Sequence, residues 1–150
     1  MSARPQAPED NLAAEFFRWH GQRELRIQRC DDCGTFLHPP RATCPACYGR
    51  SLGWQLVSGQ GTVFSWIVNH RAMTAETAAL GVYVSALVEL SEGIRLLTRL
   101  VDVDPSEVTA GLAVTVTFEA DTRGTLRAMF TPSTRGPIGP ASSQRRSPAG

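Results

Sequence analysis

The chain has 150 residues, 42% of them hydrophobic and 19% charged, with a formal net charge of +1. This length suits one compact domain or two small modules sharing a core, and no apolar run approaches the roughly 18 residues a helical membrane span needs. All fifteen basic residues are arginine, so lysine Schiff-base and lysine general-base chemistry are excluded.

The charge is unevenly placed. Residues 1–130 hold 12 arginines against 14 acids, a balance of −2, which argues against a surface built to neutralise phosphates. The opening MSARPQAPED has no apolar h-region, so the chain is expected in the cytoplasm, where thiols stay reduced.

Residues 1–9, rich in Pro and Ala, are expected to be disordered. A helix is predicted over 10–22: Leu12, Phe16 and Trp19 recur at helical spacing with Ala13, Phe17 and His20 beside them, Asp10 or Asn11 can cap it, and Gly21 can end it. Phe16, Phe17 and Trp19 therefore form an aromatic stripe that either packs on the chain's own domain or docks on a partner. LRIQRC, residues 25–30, reads as a strand entering the first cysteine pair.

CDDCGTFLHPPRATCPAC holds all four cysteines as two CxxC pairs, Cys30/Cys33 and Cys44/Cys47. Each pair followed by a turn forms a knuckle that aims two thiolates at one ion, and two knuckles close a tetrahedral site. The expected cofactor is structural Zn2+, with iron fitting the same rubredoxin-like geometry. A closed site of four thiolates leaves no position for substrate. Gly34 sits where the first knuckle turns, whereas the second has Tyr48 before Gly49. His38, in the linker, is read as a surface residue or a support to the ligands. The zinc ribbon is assigned to 23–57.

Beyond the ribbon the texture is β, and an OB-fold barrel is assigned to 58–131. LGWQLVSGQGTVFSWIVNH gives a strand, a glycine-marked bend and a long strand with Phe64, Trp66 and Val68 on one side and Val63, Ser65 and Ile67 on the other. Residues 73–80 read as a loop or short helical turn. Strands follow at 82–90, 94–103, 113–120 and 126–130, making five main strands, with a longer break between the third and fourth that suits a five-stranded OB-fold barrel. Residues 132–150 read as a disordered tail. The predicted class is mainly β: N-terminal helix, rubredoxin-like zinc ribbon, five-stranded OB-fold barrel.

In this order, the aromatic helix, RCDDCGTFLHPPRATCPAC, SGQGTVFSWIVNHRA, YVSALVELSEGIRLLTRLV and GLAVTVTFE resemble the zinc-ribbon OB-fold proteins associated with acyl-CoA metabolism, long catalogued as a domain of unknown function. The resemblance covers roughly residues 12–131 and departs at Tyr48, where that pattern has a knuckle glycine. It implies a non-catalytic accessory subunit in a hetero-oligomer with a thiolase-like enzyme, a retro-aldolase of steroid side-chain breakdown, or a MaoC-like enoyl-CoA hydratase.

The residues themselves suit a non-catalytic role: the thiols are committed to metal, and His20, His38 and His70 fall in separate segments. Ser65 and Ser85 lie within strands and lack a nucleophile-elbow context. Expected partner contacts are Phe16, Phe17, Trp19, His70 and Arg71, with the segment 70–80; Arg41 and Arg71 are candidates for CoA phosphates. Nucleic-acid binding is the competing class, with Arg95 and Arg99 on one strand face and Phe64 and Trp66 on another, but the acidic balance argues against it.

Overall fold

The computed structural model describes residues 8–121 and 123–133. The expected disorder at 1–9 and 132–150 falls largely outside them. Helix α1 (Pro8–Gly21) leads into a three-stranded antiparallel sheet of β1 (Arg26–Cys30), β2 (Phe36–Leu37) and β3 (Leu52–Leu56), in the order β2-β1-β3. Then come β4 (Gln60–Asn69), a short α2 (Ala75–Ala78), β5 (Tyr83–Leu90), β6 (Arg95–Leu100), a 3-10 turn at Pro105–Glu107, β7 (Ala113–Ala120) and β8 (Leu126–Pro132).

Strands β4 to β8 close a five-stranded barrel in the order β4-β5-β6-β8-β7, with β7 returning to β4. The β6–β8 contact, Leu100 against Phe130, is parallel, whereas the other barrel pairings are antiparallel. That is the OB-fold topology, and it removes the free sheet edges that five open strands would expose.

Alternation does most of the work of sorting side chains. In β5, Val84, Ala86, Val88 and Leu90 are buried and their neighbours half-exposed, and in β6 Leu96 and Leu100 face in while Arg95 and Leu97 face out. β4 departs from the simple alternation expected of it. The register shifts between Val63, opposite Val88, and Ser65, opposite Leu87, so Phe64 is a bulge residue. Before the bulge Val63 points inward; after it Trp66 and Val68 pack on the core. Phe64 therefore does not share the inward side with Trp66 and Val68 but stands exposed on the barrel's outside.

Gly61 explains part of this arrangement. A Cβ there would lie 2.5 Å from the Glu89 carbonyl oxygen and 2.9 Å from Val88 Cγ1, so only glycine lets β4 close on β5 at this point.

One core joins all three parts: Phe16 from α1, Leu25 and Ile27 from the ribbon, and Val57, Val63, Val88, Leu90, Val114 and Phe130 from the barrel and its approach. Phe16, expected as a partner contact, is only 7% exposed, so the aromatic stripe serves the chain's own core at that position. Phe17, 39% exposed, lies under the Arg127 guanidinium at 4.1 Å from its ring centre. Trp19 is half-buried beneath Arg26, 4.6 Å away.

Candidate metal centre

The ribbon has almost no apolar core of its own. Apart from the face shared with the barrel, its buried cluster is Cys30, Leu37 and Cys44, with Leu52 against it. What organises it is a pair of matched turns. In the first, the Gly34 N–H bonds the Cys30 carbonyl at 2.9 Å and the Cys30 N–H bonds the Thr35 carbonyl at 2.9 Å; in the second, Tyr48 N–H to the Cys44 carbonyl and Cys44 N–H to the Gly49 carbonyl repeat the pattern at 2.8 and 2.9 Å.

The equivalence reaches the backbone angles. Gly34 has φ +77° and Tyr48 φ +63°, so the tyrosine occupies the left-handed conformation its counterpart glycine adopts freely. The knuckle is therefore intact despite the departure seen in sequence. A left-handed non-glycine residue costs roughly 1–2 kcal/mol, part of which glycine's extra unfolded-state entropy offsets. Since the Tyr48 ring is 79% exposed and contributes little packing, Tyr48→Gly is expected to stabilise the metal-loaded protein by about 0.5–1 kcal/mol, read as a small rise in the thermal midpoint at unchanged metal content.

The two knuckles bring four sulfurs together. All four Sγ atoms lie within 4.8 Å of one another, with Cys30 and Cys47 at 3.6 Å and Cys33 and Cys44 at 3.6 Å. Four thiolates about 2.3 Å from a central zinc would stand about 3.8 Å apart, so the donor set fits a tetrahedral dication. Backbone donors already point at it: Ala46 N–H to Cys44 Sγ and Gly49 N–H to Cys47 Sγ, each 3.4 Å.

Electrostatics agree with the geometry. The Thr35 hydroxyl, 3.1 Å from Cys33 Sγ, and the Thr35 backbone draw the Cys33 thiol down to about 6. At Cys47 the Gly49 N–H favours the thiolate, yet proton sharing with Cys30, together with desolvation and with Cys33 and Cys44, pushes that thiol up to about 12. The Cys47 thiol thus holds a proton that a bound dication would displace. Cys30 and Cys44 are buried and Cys33 and Cys47 exposed, so one ion would tie an interior pair to a surface pair.

The other predicted site residues lie apart from this centre. His70 and Arg71 are exposed just past β4, and Arg41 is exposed on the ribbon linker, its backbone N–H bonded to the buried Gln28 side chain at 2.7 Å. His38 is half-buried, its ring 5.2 Å from that of Phe16, so it belongs to the helix–ribbon junction. His20 has a role the sequence did not suggest: 3% exposed, it accepts the Ala128 N–H of β8 through Nδ1 at 3.3 Å. No helix among the described residues is long and apolar enough to cross a membrane.

Comparison with known proteins follows the same division. Residues 18–53 match the ChsH2 rubredoxin-like zinc ribbon domain and residues 54–119 the ChsH2 C-terminal OB-fold domain. A probable enoyl-CoA hydratase alpha subunit of Thermomonospora curvata is 42% identical over 84% of this chain and 39% of its own length. The 3-oxo-4,17-pregnadiene-20-carboxyl-CoA hydratase alpha subunit of Mycobacterium tuberculosis is 37% identical over 74% of this chain and 35% of its own. The chain thus spans well under half of those hydratase subunits. A DUF35 domain-containing scaffold protein of Methanothermobacter thermautotrophicus is 35% identical over 63% of this chain and 71% of its own. Among solved structures, a chain of an Ltp2-ChsH2(DUF35) aldolase is 36% identical with a TM-score of 0.75, over 86% of this chain and 98% of that one. With four cysteines placed for one structural zinc and the barrel joined to the ribbon through a common core, the chain belongs to the ChsH2-type DUF35 family of zinc-ribbon OB-fold proteins.

Proposed function

We propose that the chain is a non-catalytic accessory subunit that binds and supports a thiolase-superfamily enzyme, a thiolase or retro-aldolase, in acyl-CoA metabolism. The observation that carries this is the match over 98% of a chain taken from an aldolase complex at 36% identity. The closed thiolate site supports the non-catalytic part, because four protein ligands leave a zinc ion no open position for substrate. The relative named for a pregnadiene-carboxyl-CoA substrate supports steroid or lipid side-chain breakdown as the setting, with the subunit working in the cytoplasm and shaping a CoA-thioester channel at the interface. In that role Arg71, Arg41 or both would meet CoA phosphates. A second reading, accessory subunit of a MaoC-like enoyl-CoA hydratase, is favoured by the two relatives named as hydratase alpha subunits.

The test is affinity purification of the tagged chain from its native host, with mass spectrometry of what co-elutes and of what is lost on chelation. An aldolase or thiolase in the eluate is the expected result. A MaoC-like hydratase would shift the assignment to the second reading, and nucleic acid or no protein partner would overturn both.

A further inference from the structure

The bulge in β4 has a consequence on the outside of the barrel. Cross-strand register places Ser65, Leu87 and Leu97 in one row and Ile67, Ser85 and Arg99 in the next, with Thr62, Glu89 and Arg95 in the row before. Phe64, the extra residue, adds an aromatic ring to this outer face. Phe64, Ile67 and Leu97 are 47%, 62% and 74% exposed, so three large apolar side chains stand together in water on one sheet face, the sort of patch that marks an interface.

The charges around the patch are lopsided. The Arg95 guanidinium lies 3.6 Å from the centre of the Phe64 ring and bridges Glu89 at 3.1 Å, which consumes the one acid in these rows. Arg99, in the row of Ile67 and Ser85, makes no ion pair among the described residues; its guanidinium lies 3.0 Å from Met129 Sδ of β8. The face therefore pairs an apolar centre with a single arginine that has no ion-pair partner among the described residues. Where β5 and β6 end, a cleft of about 220 Å³ continues it, lined by Leu80, Val82, Tyr83 and Val101, with Arg99 and Asp102 as its charged members. A flat patch ending in a cleft suits one anchoring side chain from outside.

We infer that this outer face of β4, β5 and β6 is where the chain docks on its enzyme, against a protein surface that presents apolar side chains and a carboxylate for Arg99. The inference rests on the accessory-subunit reading and names the surface that serves it. A second copy of this chain is the poorer occupant on charge: self-pairing brings Arg99 against its own copy, and the one acid of these rows, Glu89, is already held by Arg95. The helix stripe offers less apolar surface, since Phe16 lies in the core and Trp19 is half-buried, which leaves Phe17 as its one exposed aromatic.

The experiment uses the full chain and the acyl-CoA enzyme that co-purifies with it, separately purified and titrated. Ile67→Glu with Leu97→Glu is expected to weaken association by at least about 100-fold, while Phe17→Glu leaves it unchanged. Arg99→Glu is expected to slow association and flatten its dependence on salt. Metal content of each variant should match the parent, and the thermal midpoint of Ile67→Glu with Leu97→Glu should match it too, because those two side chains are exposed. For Arg99→Glu and Phe17→Glu the midpoint is measured so that a loss of folding is told apart from a loss of binding.

The inference is overturned if the barrel-face variants bind like the parent, which leaves the accessory reading standing. It is equally overturned if Phe17→Glu alone disrupts the complex, or if the parent chain forms a dimer that Leu97→Glu dissolves. If no acyl-CoA enzyme associates with the parent chain at all, the accessory reading fails and this inference fails with it.

Discussion

Stripping the metal from the reduced protein is expected to lower its thermal midpoint by more than about 10 °C and to abolish partner binding together with ribbon structure. The ribbon has little apolar interior to hold it without an ion. Its own buried cluster is Cys30, Leu37 and Cys44 with Leu52 beside them, so two of its interior groups are themselves ligands. Metal binding in small zinc peptides contributes on the order of 10 kcal/mol, comparable with the whole stability of a domain.

The loss should spread beyond the ribbon, because Leu25 and Ile27 on the ribbon side share a core with Val57, Val63 and Phe130. One metal ion per chain, found by elemental analysis of reduced protein, and a cooperative shift in calorimetry on chelation are the expected results. A metal-free protein that melts within about 2 °C of the loaded one would show that the ribbon stands without an ion. Cys44→Ser, which replaces a fully buried ligand, should reproduce the chelated state, whereas Tyr48→Gly should not. The absorption spectrum of the loaded protein separates zinc, which is colourless, from iron held by thiolates.

The features legible in the sequence were those with a local signature. Two CxxC pairs announce their donor set by spacing alone, and the alternation in 84–90 and 113–120 reflects strands half-buried on a closed barrel. The bulge was not legible, since a register shift depends on which residue of β5 faces Val63 and which faces Ser65. Its outcome, Phe64 turned outward, reversed the sidedness assigned to the first half of β4. Leu97 was within reach: in RLLTRL it alternates with the outward arginines 95 and 99, not with Leu96 and Leu100. The helix shows the opposite limit, because periodicity marks Phe16 as part of a stripe but cannot say whether the stripe covers this chain's core or another's.

His20 carries the remaining large effect. α1 packs against β8, and at that junction the His20 ring, buried among Phe16, Phe17 and Phe118, accepts the Ala128 N–H. Nδ1 can accept only when the ring is neutral with its proton on Nε2. Protonation would turn the acceptor into a donor aimed at another donor. Burial, with the Arg127 guanidinium and His38 also facing the ring, lowers the His20 pKa from 6.5 to about 4.

The sign of the pH dependence follows. A histidine whose folded pKa is depressed contributes stability fully above its unfolded value, and that contribution is lost as pH falls through 6.5 toward about 4. Urea denaturation at pH 7 and at pH 4 should therefore show a larger fall in stability for the parent than for His20→Gln, whose amide can accept the Ala128 N–H without titrating. Taking the difference between the two proteins cancels acid-driven loss of metal, which both share. His20→Ala should cost about 3 kcal/mol at pH 7, because it empties a buried ring site and leaves the Ala128 N–H without its acceptor. Equal acid sensitivity in the parent and His20→Gln would place the acid-labile step elsewhere, and a cost for His20→Ala under about 1 kcal/mol would mean that the helix closes over the barrel without this bond.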